Sequence, residues 1–379
     1  MGPLFILLCL TLMAKQQWAA QENVVACKLP DSTTFDADGM EVDWFVLYKL
    51  PKTPRYAYIS AQNHGEMQGR NIGNNESPVK LTLDSFFNLE ETRPLRPTLG
   101  KKDIYRDQLL YIFYGYDQVE SLQDARYSKS RGVLIVQPAI SNMILGGGAG
   151  IAHPDGAFWM THTVPSFPAA NTSAWNPQHN RQGHLFLCLS METSQLSSLT
   201  ETLFHEQPFV YHSNYPKYAF ESGSLVGRCA KVSEMEFLLH PVFIGSAELT
   251  TYDGMSFSVI SANYKLAADI ASTWIAVKFQ MPFYSWNRRN STDVVPIRDC
   301  FGKFQVENLI GQITVAGTAI GHSEDSSRWL VSPQGIWCIL SSHRPNFLEK
   351  VSGGAICIRN PHIVHWFTKA MQSASIQHC

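Results

Sequence analysis

The chain has 379 residues, which suits two domains or one large one. Hydrophobic residues make up 45% of it and charged residues only 16%, which excludes intrinsic disorder over most of its length. A net charge of -2, from 30 Lys+Arg against 32 Asp+Glu, excludes a polybasic nucleic-acid wrapper at neutral pH, because phosphate binding needs a cationic face. Acidic pH is different. The 13 His charge as pH falls through about 6.5, lifting the formal charge toward +11.

The first element is an apolar run at residues 4–13, LFILLCLTLM. It is too short to span a bilayer and suits the core of a signal peptide cleaved near Ala19 and Ala20. Residues 1–20 are therefore expected to leave a secreted chain, with lysosomal delivery as the alternative. No later segment is apolar for about 18 residues, so no membrane anchor is expected.

Short apolar runs at 42–48, 109–114, 132–136 and 184–189 read as buried strands. The segment 141–156 contains five Gly but lacks the phosphate-loop pattern. Phe158-Trp159-Met160 after it reads as strand, so a hairpin loop is expected there. Helical periodicity is clearest at 193–205, with Leu196, Leu199 and Leu203 on one face. It recurs at Ala-rich 262–275 and at 361–373, where Pro361 suits the first helical position. Strands interspersed with helices indicate α/β or α+β. No long linker divides the chain, so two packed halves are expected, 21–205 and 206–379.

Of eight Cys, Cys9 would leave with the signal peptide. The other seven are widely spaced with no CxxC, which argues for disulfides over zinc. Seven is odd, and terminal Cys379 is the candidate for a free thiol or a link between two chains, so a monomer or a Cys379-linked dimer is expected. N-x-S/T acceptors stand at Asn75, Asn171 and Asn290 in polar stretches, which suggests a glycoprotein.

Two basic tripeptides precede similar strands. Lys129-Ser130-Arg131 leads into GVLIV, and Ser326-Ser327-Arg328 leads into WLVSP, 197 residues later. The spacing suggests a pseudo-repeat in which each half offers one tripeptide to a shared cleft.

Longer stretches surround these positions: VDWFVLYKLP at 42–51, GVL at 132–134, GAFWMTHTVPSFP at 156–168, WLVSP at 329–333 and GGAIC at 353–357. Together they resemble the acid deoxyribonuclease II family. The resemblance implies a phospholipase D-like fold, in which two similar halves with mixed sheets and flanking helices form a pseudo-dimer in one chain. Each half of such a protein gives one H-x-K tripeptide to a single site. One imidazole attacks phosphorus and forms a phosphohistidine; the other protonates the leaving 5′-oxygen and then activates water. Two Lys neutralise the phosphate oxygens, so no divalent ion or other cofactor is needed. The implied reaction is metal-independent hydrolysis of DNA at acidic pH to 3′-phosphate ends.

This sequence departs from that pattern. An ungapped reading places the tripeptides on Lys129-Ser130-Arg131 and Ser326-Ser327-Arg328, so both histidines are lost and both lysines become arginine. Arginine keeps the charge and binds phosphate bidentately. The family's further histidine remains as His162. A gap brings His322 into consideration as a substitute, but it lies four positions before the tripeptide's start and Glu324 takes the lysine position. Ser326 has no activating partner in the motif, and Lys129 is a poor nucleophile here. Each reading has a plainer counterpart. His162 suits a core histidine as well as a cleft residue, and Arg131 and Arg328 suit ordinary ion pairs. His153, His184, His205, His212 and His240 are scattered without ligand spacing. Trp44, Trp159 and Trp329 read as core rather than base-stacking platforms.

The resemblance also implies disulfides Cys27–Cys188 and Cys300–Cys357. Leu330 replaces a family cysteine, which leaves Cys338 without its usual partner and suggests Cys229–Cys338. The expected function is a secreted protein of this family with little or no nuclease activity, binding DNA or another polyanion at acidic pH, or a protein partner. The alternatives are an active acid endonuclease with a site rearranged around His322 and His162, and a partner-binding protein whose cleft is closed.

Overall fold

The computed structural model describes residues 25–31, 39–91, 105–118, 124, 126–137, 156–216, 229–266, 268–287, 303–344 and 352–377. The apolar run within 1–20, the glycine-rich stretch up to residue 155, Asn290, Cys300, Cys379 and His153 lie outside them.

The first half opens with an antiparallel pair, β1 (Cys27–Leu29) and β2 (Met40–Val42). Next come β3 (Trp44–Lys49), β4 (Tyr56–Ser60), β5 (Met67–Gly69) and helix α1 (Pro78–Phe87). They are followed by β6 (Leu110–Gly115), β7 (Arg131–Gln137), β8 (Gly156–His162), β9 (His184–Met191), α2 (Leu196–Glu206) and β10 (Val210–Asn214). One eight-stranded sheet runs β10-β6-β7-β8-β9-β3-β4-β5. It is antiparallel throughout rather than mixed. Because β10 pairs with β6, the chain leaves this sheet only after Asn214, nine residues past the expected boundary at 205.

The second half contains β11 (Ile244–Thr250), β12 (Ser256–Ala262), the short helix α3 (Ala276–Phe279), β13 (Phe283–Trp286) and β14 (Val306–Ile310). The hairpin β15 (Gln312–Val315) and β16 (Thr318–Gly321) follows, then β17 (Trp329–Ser332), β18 (Ile336–Leu340), β19 (Gly353–Ile358), α4 (Pro361–Ala370) and β20 (Ser375–Gln377). Its main sheet runs β11-β12-β19-β18-β17-β13-β14-β20, with one parallel pair, β13–β14.

The two sheets share a plan. The order β6-β7-β8-β9-β3-β4 in the first matches β13-β17-β18-β19-β12-β11 in the second. Helix α2 follows β9 as α4 follows β19. Each basic tripeptide lies at the start of the equivalent strand, β7 or β17. The chain is thus a mixed α and β protein of two similar sheet halves, consistent with a phospholipase D-like fold.

Strand alternation splits the apolar residues between two faces. Val46, Leu134, Trp159 and Leu187 of the first sheet join Trp286, Trp329, Val331 and Trp337 of the second in one continuous interior. Trp44, Trp159 and Trp329 are all core, as expected. Helix α2 crosses to the other half and lies against β11 and β12, whereas α4 packs on β17 and β18 of its own sheet and reaches the first half through Trp366, whose indole N–H donates to Glu66 at 2.7 Å. The outer face of the first sheet packs Val133 and Phe158 against Val79, Leu83 and Phe86 of α1. The outer face of the second sheet packs Ile260 and Leu330 against Ala271 and Ile275. Asn360 caps α4, its side chain accepting from His362 and Ile363 N–H, and Pro361 occupies the first turn as expected.

The helix expected at 262–275 forms later. Strand β12 runs through Ala262 because Phe257–Ala262 pair with β19, and the helix is a π turn at Ala271–Ile275 that runs into α3. Cys27 and Cys188 are disulfide-bonded as expected. Cys357 bonds Cys338, not Cys300, and Cys338 is therefore unavailable to Cys229. The cause is register: β18 and β19 set Cys338 directly opposite Cys357, with Cα atoms 4.0 Å apart. Cys229 is a buried free thiol, pushed up to about 12 by burial. Asn75 and Asn171 both sit on exposed turns. Among the described residues no helix is long and apolar enough to cross a membrane.

Candidate functional site

The second tripeptide is stitched to the first half. Gly183 N–H donates to the Glu324 carbonyl at 2.7 Å, and Ser326 N–H donates to the Gly183 carbonyl at 3.0 Å. The Ser326 side chain turns the same way. Its Oγ lies 2.6 Å from His184 Nδ1 and 2.9 Å from the Gly183 carbonyl, and the residue is only 6% exposed. His184 Nε2 faces the His179 carbonyl at 3.1 Å. That contact assigns the proton to Nε2 and leaves Nδ1 to accept from Ser326. Burial, with Lys49 nearby, holds His184 well below the usual imidazole range.

Beside it, Asp325 is buried and accepts from four groups: the Tyr48 hydroxyl, the Trp286 indole N–H at 2.7 Å, and the Ser327 N–H at 3.0 Å and hydroxyl at 2.7 Å. Lys49 is buried too. Its ammonium donates to the carbonyls of His179 at 2.8 Å and Gln182 at 2.5 Å, and burial lowers its pKa to about 7 against the opposing pull of Asp325.

At the first tripeptide, Arg131 is 8% exposed, and its Nε donates to Asp117 at 2.5 Å. Ser130 reaches Ser128 and Glu206. Lys129 is half-buried. Arg328, the matching arginine of the second half, donates to the Ser341 carbonyl at 2.7 Å.

The two remaining histidines do not complete this arrangement. His162 follows Phe158 and Met160 onto the outer face of the first sheet, against Phe167 and Phe186. Its Nδ1 accepts from Val164 N–H at 3.2 Å. Desolvation first, and the Arg131 guanidinium second, lower its pKa to about 3. It is a core histidine. His322 stacks on Trp286 with centroids 3.8 Å apart, and its Nε2 contacts the Leu309 carbonyl at 3.0 Å. It is anchored to β13 and β14 and does not take the place of Ser326.

Two residues that sequence reasoning passed over matter here. His184 was one of the scattered histidines; its signal is an imidazole at the head of an otherwise apolar strand. Glu206 lies buried at the C-terminus of α2, where the helix dipole disfavours a carboxylate. A serine hydroxyl donating to an imidazole is the form of a nucleophile and its base. Around Ser326, however, the other close atoms are acceptor oxygens of Gly183 and Thr163, which oppose a developing oxyanion. The pair is suited to joining the halves. Among the described residues no group of three His, Cys, Asp or Glu is placed to hold a metal ion.

The deoxyribonuclease II family model matches residues 33–379. The chain belongs to the deoxyribonuclease II family. Similar proteins include deoxyribonuclease-2-alpha of Mus musculus, 27% identical over 88% of this chain and 89% of the mouse protein. Plancitoxin-1 of Acanthaster planci is 24% identical over 95% of this chain and 94% of its own length. Cell-death-related nuclease 7 of Caenorhabditis elegans is 24% identical over 86% and 82%. The match spans both sheets and both tripeptides, so this deoxyribonuclease II-family chain carries the Ser326–His184 contact within the matched region.

Proposed function

We propose that this deoxyribonuclease II-family protein has little or no nuclease activity and acts by binding. The observation that carries the reading is Ser326. It stands where the family resemblance puts an acid–base histidine, and its hydroxyl is consumed by His184 and the Gly183 carbonyl. The first position offers Lys129, and neither His162 nor His322 is free to act as a substitute. Without an imidazole pair, neither nucleophilic attack nor protonation of the leaving oxygen has a provider.

The proposed ligand is DNA or another polyanion at acidic pH, with the exposed histidines protonated and Arg131 and Arg328 of the tripeptides supplying positive charge. A protein partner is the second candidate. The proposed location is outside the cell, after loss of residues 1–20, with lysosomal delivery as the alternative and with glycans at Asn75, Asn171 and Asn290.

Plasmid cleavage at pH about 5 in EDTA tests the reading. No nicking is expected from wild type or from His322→Ala. Cleavage by wild type that disappears in His322→Ala overturns the proposal and establishes a rearranged enzyme. A parallel DNA-binding titration at the same pH expects weaker binding by Arg131→Ala/Arg328→Ala. Unchanged binding moves the ligand away from the tripeptides.

A further inference from the structure

The buried carboxyl of Glu206 sits between the halves, and among the described residues no cation stands beside it. It ends α2 of the first half and is 5% exposed. The Ser341 hydroxyl, just past β18 of the second half, donates to its Oε1 at 2.6 Å. Ser130, inside the first tripeptide, reaches it from the other side. Gly354 of β19 closes the remaining flank so tightly that a Cβ there would lie 2.8 Å from a carboxyl oxygen. Tyr114 of β6 faces the same space, and Thr161 of β8 lines it. The charge nearest in connectivity is Arg328, whose guanidinium donates to the backbone carbonyl of Ser341 rather than to Glu206. His205, the adjacent residue on α2, turns back onto the Glu201 carbonyl.

We infer that Glu206 is an acid-closed latch, which in its neutral form holds the two tripeptide-bearing strand starts together and in its ionised form loosens them. A neutral carboxyl exchanges hydrogen bonds with Ser130 and Ser341 across the interface at no charge cost. An ionised one keeps both hydroxyl donors but lies in the same dry space with no counter-charge among the described residues, so the walls around it, Gly354 included, have to part and admit water. Ser341 is tied to Arg328 through its carbonyl, and Ser130 is flanked by Lys129 and Arg131. Loosening the latch therefore reaches the basic residues of both tripeptides.

Burial raises the folded carboxyl from 4.5 to about 7. The unfolded chain releases this proton above 4.5 and the folded chain keeps it until about 7. The contribution is thus complete below 4.5 and is lost as pH rises toward 7. The folded-to-unfolded ratio falls about tenfold per pH unit across that window, or roughly 300-fold in all.

Urea unfolding of the full mature chain from pH 4 to 8.5, beside Glu206→Gln, tests the latch. The wild type is expected to lose stability relative to Glu206→Gln as pH rises, with the two diverging most above about 7. Parallel profiles overturn the inference. Ser341→Ala provides a second route that introduces no charge. Losing that hydrogen bond moves the titration to higher pH, readable as the protonated-carboxyl C=O band in infrared difference spectra. If that band is lost below pH about 5 in the wild type, Glu206 ionises normally and the latch does not exist.

Discussion

The two tripeptides occupy equivalent places in similar sheets, yet they are held in different ways. Around the second, Asp325, Ser326 and Ser327 are hydrogen-bonded to Tyr48, Gly183 and His184 of the opposite half. Around the first, Arg131 is held within its own half by Asp117, and only Ser130 reaches toward the other sheet, through Glu206. The second site has become joinery; the first depends on one titratable group. The two tripeptides are engaged by the interface unequally.

Disulfide removal gives the largest contrast. Cys27→Ala/Cys188→Ala opens a loop of 161 residues and is expected to cost about 5 kcal/mol, against about 3 kcal/mol for Cys338→Ala/Cys357→Ala, whose loop is 19. Urea midpoints under non-reducing conditions measure both; equal costs would mean that loop length does not separate the halves.

Asp325→Ala comes next. It strips the acceptor from four buried donors and is expected to cost about 3 kcal/mol, whereas Asp117→Ala at a one-third exposed side chain is expected to cost about 1 kcal/mol. If Asp117→Ala proves the costlier, the account of the second tripeptide as the joined one fails.

The smallest effect concerns pH. His162 is held near 3 in the folded chain against 6.5 when free, so its contribution is complete above 6.5 and is lost as pH falls toward 3. At pH 5 the expected loss is about 2 kcal/mol, and His162→Gln should flatten this acid limb. Glu206 acts in the opposite direction over 4.5 to 7, so the two nearly offset one another between about 5 and 6. A stability maximum that persists there in wild type and shifts to lower pH in His162→Gln supports that opposition. A curve that does not move excludes it.

Much of the fold was legible because burial writes itself into periodicity. The run HLFLCL at 184–189 has nowhere to go but a two-sided core strand, and the leucines at 196, 199 and 203 mark one helical face. The Ala-rich stretch from 262 misled because Ala suits a helix while Ala262 itself pairs with Gly353 in a sheet. The Cys338–Cys357 link depends on register between two strands, which no spacing rule contains. The tripeptides were legible as positions, through the strands that follow them. What surrounds Ser326 was not, because Gly183 and His184 lie more than 140 residues away and come from the other half.

The packing of α2 on the opposite sheet has a consequence for any attempt to divide the molecule. The segment between Asn214 and Ile244 is where a split would naturally be made, since the chain passes there from one sheet to the other. The first fragment would then carry α2, fitted to β11 and β12 of its counterpart, and each would expose half of an interior lined by Trp159 on one side and Trp329 and Trp337 on the other. Such pieces should aggregate when made singly and reconstitute when made together, as a complementing pair whose reassembly reports on the interface alone.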